Sequence, residues 1–346
     1  MYKNLKILKL LVLGILIPFA GVAHDDSRMM RYPDINGNQI VFVYAGDIWT
    51  VNSTGGDARQ LTSHKGLELF PKLSPDGRWI AFSGEYSGSR QVFVMPAEGG
   101  TPQQLTYYND VGPMPPRGGF DNVVMGWTSD SKNVFFRSNR TEYGQRMGRY
   151  YKVSIDGGFV EELPIPHGGF ADLSPDDTKV AFTYIDREFR TWKRYKGGRA
   201  SNLWIYDLDN NTSEEITDWV GTDHIPTWYG EKIFFASDRD LWLNVYSYDV
   251  NTKGVTQLTF HDKFDVMWPS GNNGQLIYEN GGYLYKLNLE TGSEERVVVN
   301  ILYDNPHTLP YFKNVKDNIH SMAISPSGNR VLFDARGDIF SVPAGD

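Results

Sequence analysis

The densest set of side chains capable of ionic recognition lies between residues 187 and 200. Arg187, Arg190, Lys193, Arg194, Lys196 and Arg199 place a cation at six of those fourteen positions, with Trp192 and Tyr195 among them. Guanidinium groups hold carboxylates through paired hydrogen bonds, and aromatic rings interleaved with Arg are enriched where proteins meet. Three readings stay open: a guide for an acidic peptide, a docking edge for a neighbouring subunit built on Arg190, Trp192, Lys193, Arg194, Tyr195 and Arg199, or a solvated loop, since exposed charges are cheap.

Covalent and metal chemistry finds less support. A Gly-x-Ser-x-Gly nucleophile elbow does not occur. Of the seven histidines none pairs with another at three or four residues, so no zinc ligand set forms locally. His64, His167, His224 and His261 fall at comparable places between repeats and read as turn-lining groups. Asp207-Leu208-Asp209-Asn210-Asn211 lacks the remaining spacing of a calcium loop and reads as an Asx turn. The Gly-Gly pairs do not precede helices, which argues against phosphate binding. No catalytic residue, metal or cofactor is expected in this chain.

These residues sit on a repeat. Its clearest copy runs from Lys72 to Thr106: the turn Ser74-Pro75-Asp76-Gly77, an apolar run from Trp79 to Phe82, a second from Gln91 to Met95, the turn Gly99-Gly100, and a closing Gln104-Leu105-Thr106. Pro75 fixes φ, Asp76 bonds back to its own backbone and Gly77 accepts positive φ, so the chain reverses just ahead of a strand. Ile80 and Phe82 share one face by the period of two. Such a meander leaves open edges and requires neighbours.

The neighbours are further copies. Aligning the aromatic that ends the first apolar run gives Phe42, Phe82, Phe136, Phe182, Phe235, Tyr278 and Phe333, spaced by 40, 54, 46, 53, 43 and 55 residues. The residue eight positions earlier, taken as the start of each turn, is Asp34, Ser74, Thr128, Ser174, Thr227, Ser270 or Ser325. Periods of roughly 40 to 50 residues are those of four-stranded propeller blades. The expected fold is all-β: a six-bladed β-propeller of four-stranded antiparallel blades, followed by the start of a second propeller. With 35 Gly, 20 Tyr and 40% hydrophobic residues, the composition suits many short strands and tight turns.

The expected boundaries are a signal peptide at 1–23, a lead-in at 24–35, the six-bladed ring at 36–309 with its first blade starting at Asn38, a connector at 310–318, and a truncated first blade of a second propeller at 319–346. The leader combines Lys3, Lys6 and Lys9 with an apolar stretch from Leu10 and small residues at Gly21 and Ala23. It is short against the roughly 20 residues needed to span a bilayer, so it reads as a cleaved export signal, with a membrane anchor as the alternative. Losing its three lysines takes the formal charge from −8 to −11, which argues against a nucleic-acid partner. Cysteine is absent, which excludes disulfides and thiol catalysis. The final repeat stops at Asp346 after two strands, so the sequence reads as a fragment cut inside a second domain.

The repeat resembles that of TolB and many exported propellers. More specific are Pro33-Asp34-Ile35, the run Thr191 to Arg199 followed by Leu203-Trp204-Ile205, and the restart Ser325-Pro326-Ser327-Gly328 with Ala335-Arg336-Gly337-Asp338. Together these resemble the amino-terminal part of tricorn-type serine peptidases. The resemblance implies a non-catalytic propeller module that binds or gates peptides for an active site in later PDZ and peptidase domains, whose nucleophile and base do not lie in this chain. It implies that Arg117, in Pro116-Arg117-Gly118-Gly119, anchors the carboxylate at a peptide's C-terminus, matching one of the family's two arginines there. Peptides, the downstream peptidase domains and a homo-oligomer are the implied partners. The leader departs from the cytosolic founding members and points to export to the periplasm, with the cytoplasm, as in those members, as the alternative. A stand-alone TolB-like envelope scaffold and the propeller of a prolyl-oligopeptidase-like enzyme are the alternatives.

Overall fold

A computed structural model describes residues 26–108, 121–140, 148–185, 188–189, 192–303 and 310–345. The chain divides into two compact units, Met1–Leu302 and Tyr303–Asp346.

Among the described residues, the first unit contains six four-stranded antiparallel sheets whose strands follow one another in sequence. Their inner strands are Arg31–Asn36, Glu68–Leu73, Val123–Trp127, Ala171–Leu173, Asp223–Tyr229 and Val266–Asn272. Each inner strand lies beside the next, and the sixth lies beside the first. Facing sheets bury an apolar layer between them: Val41 and Ile48 meet Ile80, Phe82 and Met95, and Phe235 meets Ala181 and Leu203. The six aligned aromatics from Phe42 to Tyr278 are fully buried on the second strand of each sheet. Each such ring contributes roughly 1.5 to 3 kcal/mol by leaving water, which explains why the position stays aromatic through the repeat.

The closing Thr has a distinct task. Its hydroxyl accepts the N–H of the residue fourteen positions earlier, near the start of the third strand: Ile48 to Thr62 at 2.8 Å, Val92 to Thr106 at 2.9 Å, Leu203 to Thr217 at 3.0 Å and Val245 to Thr259 at 2.9 Å. Each bond satisfies a buried donor where the short outer strand has ended.

The inner strand is where sequence and structure part. The first sheet starts at Arg31, inside the expected lead-in and ahead of the expected blade start at Asn38. Tyr32, Phe70, Ile225 and Trp268 adopt φ of 50°, 54°, 54° and 53°, each is followed by proline, and the ladder shifts register across each of them. A bulge with a left-handed residue and a proline interrupts the alternation that identifies a strand. The aligned turn start is corrected as well. Ser74, Thr128 and Ser174 do open turns, each donating its hydroxyl to the Asp two residues on. Asp34, Thr227 and Ser270 lie within inner strands, because their hairpins are two residues shorter.

The Gly55-Gly56 turn carries a seam. Val299–Asn300, just after the sixth sheet, pairs in parallel with Gly56–Asp57 of the first. The N–H of Gly56 reaches Val298 O at 2.9 Å, and a Cβ at Gly55 would lie 2.4 Å from that same oxygen, so the position needs glycine.

The second unit holds a three-stranded antiparallel sheet, Ile319–Ile324, Arg330–Ala335 and Asp338–Pro343. Its Ile319, Met322, Ile324, Ile339 and Phe340 are exposed.

Candidate functional site: the axial cavity

Register identifies six equivalent inner-strand positions. Asp34, Lys72, Gly126, Asp172, Thr227 and Ser270 each pair with the residue just before the aligned aromatic. All six line one cavity of about 420 Å³ to which every sheet contributes, walled also by Trp127, Trp228 and Tyr229. A recurring backbone slot thus delivers six different side chains to one place.

Three of them form a linked polar group. Ser270 donates its hydroxyl to Asp34 Oδ1 at 2.5 Å and accepts a hydrogen bond from Lys72 Nζ. Asp34 Oδ2 accepts the Leu73 N–H at 2.7 Å. Burial raises the Asp34 carboxyl, against the pull of Lys72, Ser270 and Leu73. Asp172 accepts the N–H of Trp228 at 2.8 Å and that of Leu173 at 3.0 Å. Burial pushes its carboxyl up to about 7, with those N–H groups and Lys72 pulling down and Asp34 adding to the rise.

Deeper along the inner strands the axis is filled by rings. Tyr32 stands 4.4 Å from Phe70 and 4.9 Å from Trp268, and Phe170 stands 5.2 Å from Trp268. The left-handed bulge residues supply three of these four, so the strained backbone is what turns the rings inward. His224 lines a second cavity of about 240 Å³ while Thr227, three residues on in the same strand, lines the first. The two cavities share no lining residue.

The basic stretch 187–200 bounds the second cavity, with Trp192, Lys193 and Arg194 in its wall. Glu188 is buried, accepts the Phe170 N–H at 2.5 Å and lies 3.8 Å from Arg137. Phe189 enters the aromatic layer. Lys193 pairs with Asp265 at 2.8 Å and, with Arg194, lies over the Trp242 ring; Arg194 also donates to Leu241 O. Tyr195 packs on Trp192 at 5.5 Å, Lys196 lies over Trp219, and Arg199 is exposed. These contacts tie the stretch to the fifth and sixth sheets. Arg190 and Arg117 lie outside the described residues.

His224 lies in the inner strand of the fifth sheet and is buried, a correction to its expected place between repeats. Asp207 accepts the N–H groups of Asp209 and Asn210, forming the Asx turn. Among the described residues no three His, Asp or Glu side chains gather to hold a metal. Sequence reasoning missed the axial residues. The recurring Tyr32-Pro33, Phe70-Pro71, Ile225-Pro226 and Trp268-Pro269 pairs, each two residues before one of them in the register, carried the signal.

Consecutive four-stranded antiparallel sheets whose inner strands line a shared axial cavity define a β-propeller. The chain belongs to the family of the tricorn protease N-terminal β-propeller domain, whose family model matches residues 27–293. It is 27% identical over 311 residues to a tricorn protease homolog of Saccharolobus solfataricus, covering 89% of this chain and 28% of that protein. It is 25% identical over 354 residues to the tricorn protease of Thermoplasma acidophilum, covering 98% of this chain and 30% of the other. A crystal structure of the tricorn protease superposes with a TM-score of 0.73 at 20% identity, over 91% of this chain and 30% of that one. The chain thus spans about three tenths of the length of these relatives.

Proposed function

We propose that this chain is the peptide-binding and gating propeller of an exported tricorn-type serine peptidase, contributing no catalytic group itself. The observation that carries the reading is the axial cavity, roughly 420 Å³ with apolar walls and a few charged groups, the make-up of a site for a small ligand or the end of a peptide. The finer architecture belongs to the same proposal: the six sheets are six blades, and Ile319 onward begins a second propeller. In the full-length enzyme, Arg117 would hold the peptide carboxylate, while Trp192, Lys193, Arg194, Tyr195 and Arg199, with Arg190, would line a contact with another subunit or domain. Export rests on the leader at 1–23. The test is to titrate the 346-residue chain with oligopeptides of three to eight residues by calorimetry while following cleavage. Saturable binding without turnover is expected. Absence of binding at millimolar peptide, or turnover that survives repurification, overturns the reading.

A further inference from the structure

The axial cavity is chemically lopsided. Its carboxylates, Asp34, Asp172 and Asp177, share a single ammonium in the wall, that of Lys72. Lys72 is drawn to one side, where it bonds Ser270 and through it Asp34. Among the described residues Asp172 has no side-chain cation of its own: it accepts the backbone N–H groups of Trp228 and Leu173. Each oxygen of that carboxylate therefore keeps a lone pair for a further donor. The third equivalent position is Gly126, and a Cβ there would lie 3.4 Å from Asp172 Oδ1. Glycine leaves open the space that any other residue would begin to fill. Trp127, Trp228 and Tyr229 line the same cavity.

We infer that the axial cavity binds a primary ammonium group on Asp172, with the aromatic wall around it, and so takes peptides by a free amino terminus or by a lysine side chain. The inference rests on the peptide-binding reading and adds which chemical group the cavity recognises. An ammonium of three donors matches a carboxylate with open acceptor sites, and a ring face attracts the same charge. A carboxylate ligand at this place would face two like charges.

Affinity should follow pH with a definite sign. Asp172 titrates near 7, with Lys72 and Asp34 as its charged neighbours and Tyr229 and Asp177 elsewhere in the cavity wall. An ammonium needs the ionised carboxylate, so binding weakens as pH falls below about 7. It weakens again as a peptide α-amino group loses its proton above roughly pH 8, whereas a lysine side chain keeps its charge to about 10.

The experiment uses the 346-residue chain and three C-terminally amidated probes: tri-alanine with a free amino terminus, the same peptide N-acetylated, and an N-acetylated tripeptide with one lysine. The first should bind and the second should bind at least tenfold more weakly. The third reports whether a side-chain ammonium suffices. Asp172→Asn keeps an acceptor for the Trp228 N–H and should cost at least tenfold for the free amine. Lys72→Met removes a competing cation and also its downward pull on the Asp172 carboxyl, so the pH below which binding weakens should move up while the free amine still binds above it. Equal binding of acetylated and free peptides, or loss of binding in Lys72→Met with Asp172→Asn unaffected, overturns the ammonium site while leaving a peptide-binding propeller standing. Failure of all three probes and of longer oligopeptides overturns both.

Discussion

Phe189, from the basic stretch after the fourth sheet's second strand, meets Trp268 of the sixth sheet with ring centroids 5.0 Å apart and planes inclined at 37°. The contact joins a stretch that reads as surface charge to the centre of the molecule. It also explains how a sequence so rich in Arg and Lys is held: Phe189 and Glu188 are its anchors, and the cations lie over tryptophans around them. Removing the ring leaves a void among Phe70, Phe170 and Trp268. Phe189→Ala should destabilise the first unit by about 2 kcal/mol, below the 3 to 5 of a fully enclosed Phe because this ring is only half-buried. Urea unfolding checks it, with Phe159→Ala, at a fully exposed ring, as the neutral control.

Glu68 gives stability a pH dependence of known sign. Burial first, then the neighbouring Asp47, push its carboxyl up to about 8. The unfolded chain gives up this proton near 4.5, so the native state binds more protons between those values and stability falls as pH rises across that window. Burial pushes Glu279 up to about 8 as well, against the pull of Arg31, with the same sign. Glu68→Gln should flatten the decline in urea midpoint between pH 5 and 8.5. An unchanged slope would mean that Glu68 is ionised in the native state.

Thr106 tests the capping bond. Thr106→Val keeps the shape and leaves the buried Val92 N–H without its acceptor, at a cost of about 1 to 3 kcal/mol. Thr106→Ser should recover most of that loss. Equal unfolding midpoints for the Val and Ser variants would refute the role.

Arg117 is proposed to grip a peptide's C-terminal carboxylate. A charge-assisted hydrogen bond contributes roughly 1.5 to 3 kcal/mol, so Arg117→Ala should weaken binding of free-acid peptides about tenfold to a hundredfold in the full-length enzyme. C-terminally amidated peptides should be little affected. Equal losses for both return Arg117 to an ordinary loop residue.

Processing after Ala23 should give a mature protein that begins at His24 when sequenced from its amino terminus. Soluble protein that retains Met1 in an exporting host argues against the signal.

Much of the fold was legible because its markers are local. Phe82 and its equivalents repeat since each plugs the same gap between sheets, and Asp76 recurs as Asp130 and Asp176 since the turn demands an acceptor, while the positive φ of Gly77 recurs at Ser131 and Asp177. The axial site was not legible, for two physical reasons. Tyr32 and Phe70 sit in left-handed bulges before prolines, which on paper read as chain breaks. Asp34, Lys72 and Asp172 are brought together only by the circuit of sheets, across separations that no local spacing records. The same holds for Lys193 and Asp265: each looks like surface charge until the stretch after the fourth sheet's second strand reaches the residue just before the sixth sheet.

The seam between Val299–Asn300 and Gly56–Asp57 bears on the order in which the molecule assembles. Asn300 and Asp57 are 243 residues apart, whereas the Thr106 bond within one sheet spans 14. Loop-closure entropy makes the longer closure about 2.5 kcal/mol more costly. Individual sheets can therefore form early while the two ends of the circuit are still apart, and the clasp is a late event that follows them. In reverse, it is the first place to part under denaturant, and amide hydrogen exchange at Gly56 and Ala58, which donate across it, would report the opening.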